Sequence, residues 1–353
     1  MDKILQLIDL YKTYPNSTEP AVSGLTLSLQ KGEILALVGE SGSGKTTTIR
    51  MIAGFEVPDK GKIHFKGRIL VSPEHFVPPE ERGVGMVFQD LALFPHLTVK
   101  KNLLFGIKDK ASRTNAYVKK LLELVGLPGL EERYPHEISG GQVQRIALAR
   151  ALASNPELLL LDEPFNNLDI RIKIALLGEI REIIKKTRTT TLFISHEKSE
   201  AFMLADKIAV LKRGRLQQCA TPQKIYSQPY NTYVAEFFGQ ANHIPGEIKD
   251  GYIHTPLGQF STDILLQHLP KETKRGFLVH RPWDIVIHDN GVQGIPIKIT
   301  HSYFFGDHQE IHFQVPSYKE VEFKFFTHRE KQFSQGEMIY ISIKEEHLYF
   351  CTH

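Results

Sequence analysis

Three short stretches carry residue types suited to phosphate chemistry. In "LVGESGSGKTTT", Gly39 is followed after four residues by Gly44, Lys45 and Thr46, between an apolar run and a helical pattern. Glycine at 39, 42 and 44 lets the backbone curl, so that the amides around Ser41, Gly42, Ser43 and Gly44 converge on one anion at a helix N-terminus. Lys45 then reaches the outer phosphates, Thr46 can ligate Mg2+, and Thr47 extends the same helical turn. In "ELLLLDEP" a buried strand delivers Asp162 to its carboxyl end, where it can order Mg2+ through bound water. Glu163 follows at the strand's mouth, placed to polarise a water for in-line attack on a terminal phosphate. In "ISGGQVQR", Ser139 stands where an N-cap belongs, ahead of Gly140, Gly141 and Gln142. The first turn of that helix presents a hydroxyl and unobstructed amides, a second anion site; a capped helix without a ligand is the alternative.

These groups need a scaffold of strands that end together. Short apolar runs over 33–39, 84–89, 158–162 and 190–195 read as buried parallel strands alternating with helices, an α/β pattern. In the helix after Ser139, the residues Val143, Ile146, Ala147 and Ala151 fall on one face. From about Ile244 the texture turns to short β-rich pieces broken by Gly and Pro, so a domain boundary is expected between Phe238 and Ile244. A chain of 353 residues accommodates two domains of the usual size, about 100 to 200 residues each.

Composition narrows the classes. The formal net charge of +3 is too small to imply nucleic acid as a partner. Cys219 and Cys351 form neither a disulfide framework nor a metal-ligand spacing, which suits a reducing compartment. No apolar run reaches the roughly 18 residues of a membrane span, and the start is too short and too charged for a signal peptide. Histidines crowd beyond residue 240, and His308 and His312 could share a strand face. A metal-sensing site is open there, against scattered surface histidines as the plainer account.

"ISGGQVQR" resembles the signature of the nucleotide-binding subunits of ATP-binding cassette (ABC) transporters, with Ile138 in place of the usual Leu. The other motifs agree in order. Gln89 in "VFQDLALFPHLTV" matches the Q-loop, and the resemblance implies that it meets Mg2+ and the attacking water. His196 in "FISHEKSEA" matches the switch histidine on the γ-phosphate, and Asp169 in "NNLD" matches the D-loop, with Asn166 where Ser or Ala is usual. Tyr14 in "YKTYP" matches the aromatic that stacks on adenine, with Tyr11 as runner-up. "VHRPWDIVI" is similar to the regulatory-domain motif of importer subunits, Trp283 replacing an acidic residue.

The fold implied is α/β: a P-loop NTPase, here an ABC cassette over 1–240 with a helical subdomain at about 90–155. An all-β, OB-like (TOBE) regulatory domain follows over 241–353. The activity implied is hydrolysis of ATP with Mg2+ by a homodimer of cassettes, each signature closing on the partner's phosphate loop. Its partners would be integral membrane permease subunits and a periplasmic or surface substrate-binding protein, with the chain held at the cytoplasmic face of the cell membrane. Ferric iron is the first expectation for cargo, with polyamine, thiamine, molybdate or sulfate, and sugar as alternatives. A soluble ABC ATPase acting on DNA or ribosomes would want a long coiled-coil insertion or a second cassette, and the sequence has neither. A small-molecule P-loop kinase would need neither the Ser-Gly-Gly helix nor His196.

Overall fold

The computed structural model describes residues 3–15, 17–107, 114–165, 170–262, 273–288, 294–316, 318–328 and 332–352. It divides into two compact units, Met1–Pro222 and Gln223–His353.

In the first unit a six-stranded sheet carries the chemistry. Its order is β11 (Arg215–Ala220), β10 (Lys207–Lys212), β3 (Ile34–Val38), β9 (Thr190–Ile194), β8 (Leu158–Asp162), β7 (Val84–Val87). All neighbours are parallel except the edge pair β10–β11. β3, β8 and β9 are buried along their whole length, which explains the apolar residues that dominate them. Parallel strands end on the same side, so the segments after β3, β7, β8 and β9 come together at one rim.

A second, antiparallel sheet runs β2 (Val22–Gln30), β1 (Lys3–Lys12), β4 (Lys60–Phe65), β5 (Arg68–Ser72), β6 (His75–Phe76). The helix α1 (Lys45–Ala53) joins the two sheets in one core, its Ile49 and Ile52 packing with Leu5, Leu37, Leu160 and Leu192. Three helices, α2 (Val99–Gly106), α3 (Asn115–Leu124) and α4 (Gly140–Leu152), form a helical layer, with α4 also packing on β7 and on α5 (Ile170–Thr187). Burial on α4 is wider than one stripe. Ile146 and Ala147 are buried, Val143 and Ala151 only partly, and Gln144, Leu148, Ala149 and Leu152 are buried as well, because α4 is flanked on several sides.

The second unit opens with α7 (Pro222–Ser227) and α8 (Thr232–Phe238), where the sequence alone puts the boundary later, at 240/241. Contacts made far along the chain explain the earlier division. Arg281 donates to the carbonyls of Tyr226 at 2.9 Å and Ala235 at 2.7 Å, and Ala235 packs with Val279, Tyr349 and Cys351. Two five-stranded sheets follow. One is ordered β14 (Gly258–Ser261), β13 (Tyr252–Thr255), β12 (Asn242–Lys249), β15 (Arg275–His280), β21 (Tyr349–Cys351). The other is β16 (Ile285–His288), β20 (Met338–Ile343), β17 (Ile295–Phe304), β18 (Gln309–Val315), β19 (Tyr318–Thr327). Their inner faces share Ile244, Leu278, Ile297, Phe313, Phe325, Ile341 and Phe350.

His308 and His312 do not form one site. His308 lies among Trp283, Phe305 and Phe326, whereas His312 is held between Glu310 at 2.8 Å and Glu322 at 2.9 Å. Among the described residues no group of three His, Cys, Asp or Glu is arranged to hold a metal ion. None of the described helices is long and apolar enough to cross a membrane.

His280 gives the second unit a pH dependence. Its Nδ1 lies 3.1 Å from the Arg281 carbonyl, its Nε2 is buried with no hydrogen-bond partner, and burial pushes its pKa down to about 4. The unfolded chain takes up that proton near pH 6.5. Stability from this group is therefore complete above about pH 6.5 and is lost as pH falls toward 4, by about 3 kcal/mol in all. The single tryptophan, Trp283, lies in this unit, so urea unfolding followed by its fluorescence reads the unit directly. Wild type should lose stability between pH 7 and 4.5 by at least about 2 kcal/mol more than His280→Gln does. Equal losses in the two would remove His280 from the account.

Candidate active site

The phosphate loop is shaped by contacts that leave no room for a side chain. Gly39 has φ +152° and a Cβ there would lie 2.3 Å from the Leu211 carbonyl oxygen. Gly44, at φ +97°, would place one 2.2 Å from that of Ala21. Both are backbone atoms, so the loop is pressed against β10's end and the segment before β2. Lys45 opens α1 and its Nζ donates to the carbonyls of Gly39 at 2.8 Å and Glu40 at 2.9 Å, which holds the ammonium under the loop. Burial lowers its pKa, opposed by the charges of Glu163 and Asp162. Thr46 is half-buried beside it.

The rim beyond β8 brings four predicted groups together. Burial and the neighbouring Glu163 raise the Asp162 pKa, while Arg50 and Lys45 pull it down. Gln89, just past β7, donates from Nε2 to Glu163 Oε2 at 3.3 Å, and His196 Nδ1, just past β9, lies 3.6 Å from the same oxygen. Glu163 has φ +48°, in the left-handed region. Its carboxylate faces Gln89 and His196 from that turn. Tyr14 hydroxyl is 3.3 Å from Thr47 Oγ1 on α1, whereas the Tyr11 hydroxyl lies over Gly24, so Tyr14 is the aromatic beside the phosphate loop.

Two observations test the fit to MgATP. The Ser43 hydroxyl is buried within the phosphate loop beside Gly39 without a hydrogen-bond partner, an unsatisfied polar atom of the kind a ligand of the loop would satisfy. Asp162, whose pKa is raised by burial and by the adjacent Glu163, offers with Thr46 and Gln89 the kind of oxygen donors a hard divalent cation takes.

Ser139 caps α4. Its Oγ accepts from Gln142 N at 3.4 Å and the Gln142 side chain accepts from Ser139 N at 2.9 Å. These bonds close on the turn itself, and a Cβ on Gly141 would meet Ile172 at an ordinary 3.7 Å. The turn is exposed or half-exposed throughout, at the opening of an otherwise buried helix. Asp169 and Asn166 lie outside the described residues.

The family model described as "ABC transporter" matches residues 22–166, and the one described as "TOBE domain" matches residues 279–350. The chain is 43% identical over 241 residues to the Fe(3+) ions import ATP-binding protein FbpC of Pseudomonas fluorescens, covering 68% of each chain. It is 42% identical over 255 residues to the spermidine/putrescine import ATP-binding protein PotA of Clostridioides difficile, covering 71% of this chain and 72% of the relative. The chain belongs to the ABC transporter family. A sulfate/thiosulfate import ATP-binding protein, CysA 2 of Chromobacterium violaceum, is 45% identical over 234 residues, 65% of this chain and 63% of its own length. Among solved structures, a dimeric ATP-binding cassette in a post-hydrolysis state with ADP and phosphate superposes with a TM-score of 0.53 at 26% identity. That match covers 62% of this chain and 98% of that one. The protein is thus an ABC ATPase with a TOBE domain, using ATP and Mg2+.

The ABC cassette also contains groups that sequence reasoning did not single out. Arg82, buried, donates from Nη1 to the last-turn carbonyls of α1, Met51 at 2.7 Å and Ile52 at 2.8 Å, and from Nε to Val77 at 2.7 Å. Burial lowers its pKa to about 10, still far above neutrality, so it stays charged and favours the negative end of the phosphate-loop helix. Around His196, Lys173 meets Glu197 and Glu200. The sequence signal for that cluster is the pair of glutamates that follow the histidine in "SHEKSEA".

Proposed function

We propose that this ABC ATPase powers an importer, that two copies close on two MgATP, and that its cargo is ferric iron. The observation that carries the reading is the convergence of Gln89 and His196 on one oxygen of Glu163, next to Asp162 and above the phosphate loop. In that arrangement Glu163 accepts a proton from the attacking water as its oxygen bonds to the γ-phosphorus and the bond to ADP breaks. Gln89 and His196 hold that water and the transferring phosphoryl oxygens in line. Lys45 and the loop amides offset charge on the leaving group, and Tyr14 takes the adenine. Thr46, Gln89 and Asp162 would hold Mg2+, whose charge would offset that of the phosphate oxygens. Ser139, Gly140, Gly141 and Gln142 supply the second anion cradle, offered to the partner subunit's ATP, with Asp169 at the same interface.

Names of the relatives support import: iron, polyamine and sulfate proteins align with comparable identity. That evenness means the cassette does not choose the cargo, because specificity resides in other subunits. Iron is favoured by the chain's length, the "AEFFGQANHIPGEI" junction and the compact C-terminal domain. Permease subunits would hold the chain at the cytoplasmic face of the membrane, and a binding protein outside would deliver the cargo. The complete complex in vesicles, with its own binding protein, should accumulate labelled ferric iron only with ATP. Accumulation of spermidine, thiamine or an oxyanion without iron would replace the cargo and leave the ATPase in place.

A further inference from the structure

His196 sits on a short junction between β9 and α6 (Lys198–Leu204). Its own ring is half-exposed, so its aim depends on the backbone on either side. Both flanking residues are tied down. Ser195, buried at the end of β9, donates from Oγ to Glu200 Oε2 at 2.6 Å and accepts from Glu197 N at 2.9 Å, closing a small turn around the histidine. Glu197, at the N-cap position of α6, makes no side-chain cap to that helix. Its carboxylate turns instead to Lys173 Nζ at 2.6 Å, and the same ammonium lies 3.0 Å from Glu200 Oε1. Lys173 and Glu200 are nearly fully buried, at 7% and 3% side-chain exposure.

We infer that Lys173, in the first turns of α5, is a positioning residue for His196. It pairs with Glu197, which follows the histidine, and with Glu200, which accepts from Ser195 on the histidine's other side, and so fixes where the imidazole points. The inference rests on the reading of His196 as the group that faces the transferring phosphoryl. Charge decides the strength of the tie. Two carboxylates converge on one ammonium, so removing the ammonium leaves Glu200 buried against the Ser195 hydroxyl with no counter-charge, and the turn has to open to admit water. The charge-assisted bond to Glu197 is also directional, which transmits the placement of α5 into the angle of the turn.

The test is a double-mutant comparison in the full chain, reading ATP turnover, KM for ATP and thermal stability. Lys173→Met should lower kcat by roughly tenfold, with KM changed by less than about twofold, and Lys173→Arg should recover most of the loss. Made in a His196→Ala background, Lys173→Met should cost less than about twofold further, because residues that act as a unit are not additive. Glu197→Gln, which removes the more exposed partner and leaves the buried pair intact, should show a smaller loss that likewise vanishes without His196. An equal fractional loss in both backgrounds would overturn the inference, as would a fall in kcat that simply follows lost folding. Wild-type turnover in His196→Ala alone would overturn the reading of His196 itself.

Discussion

Glu163→Gln is expected to bind ATP and dimerise on it, yet to hydrolyse it about 10²-fold more slowly or worse. The amide copies the shape of the carboxylate and can still bond to Gln89, so the rim keeps its geometry while its proton acceptor is gone. The electrostatics move in a definite direction. Glu163 helps raise the Asp162 pKa and opposes the lowering of the Lys45 pKa, so its removal should lower both. Asp162 then stays ionised over a wider pH range and Mg2+ binding should not suffer. Single-turnover hydrolysis measured beside equilibrium nucleotide binding separates the two effects. Turnover at the wild-type rate would remove Glu163 as the base.

Gly140→Asp is the sharpest probe of the second anion cradle. A carboxylate in the first turn of α4 suits the helix, whose N-terminus favours negative charge, so the variant is expected to fold and bind ATP. On the proposed function, the same charge stands where a partner's γ-phosphate would dock. ATP-driven dimerisation and steady turnover should both fall by 10²-fold or more, the order seen when one donor to a developing charge is lost. Mixed with Lys45→Ala subunits, it should yield heterodimers containing one intact and one doubly broken site, and part of the activity should return. Sedimentation of the pure variant with ATP decides the point: normal dimers would place the cradle elsewhere.

Legibility in the sequence followed the physics of each feature. The phosphate loop was readable because its glycines answer to backbone crowding against Leu211 and Ala21, which no other residue type tolerates. Asp162 and Glu163 were readable because a strand buried on both faces has to be apolar until it ends. Gln89 and His196 were found only by the order of motifs, since nothing local to either residue announces that both converge on Glu163. The Lys173 cluster joins residues 24 positions apart through two charges and has no periodicity to betray it. The same holds for α7 and α8, which join the second unit through Arg281, 55 residues beyond Tyr226. Burial on α4 is wider than its amphipathic stripe because a stripe describes a helix with one neighbour, and α4 has several.

The left-handed backbone at Glu163 has an evolutionary consequence. A residue with a Cβ gives up about 1 kcal/mol or more to sit there, and glycine would not. Selection for stability alone would therefore drift toward glycine at this position and produce a sturdier protein without the carboxylate proposed as the base. The glutamate persists only under selection for turnover, so an inactive descendant of this cassette, retained as a nucleotide-binding scaffold, would be expected to lose Glu163 early and to keep its phosphate loop.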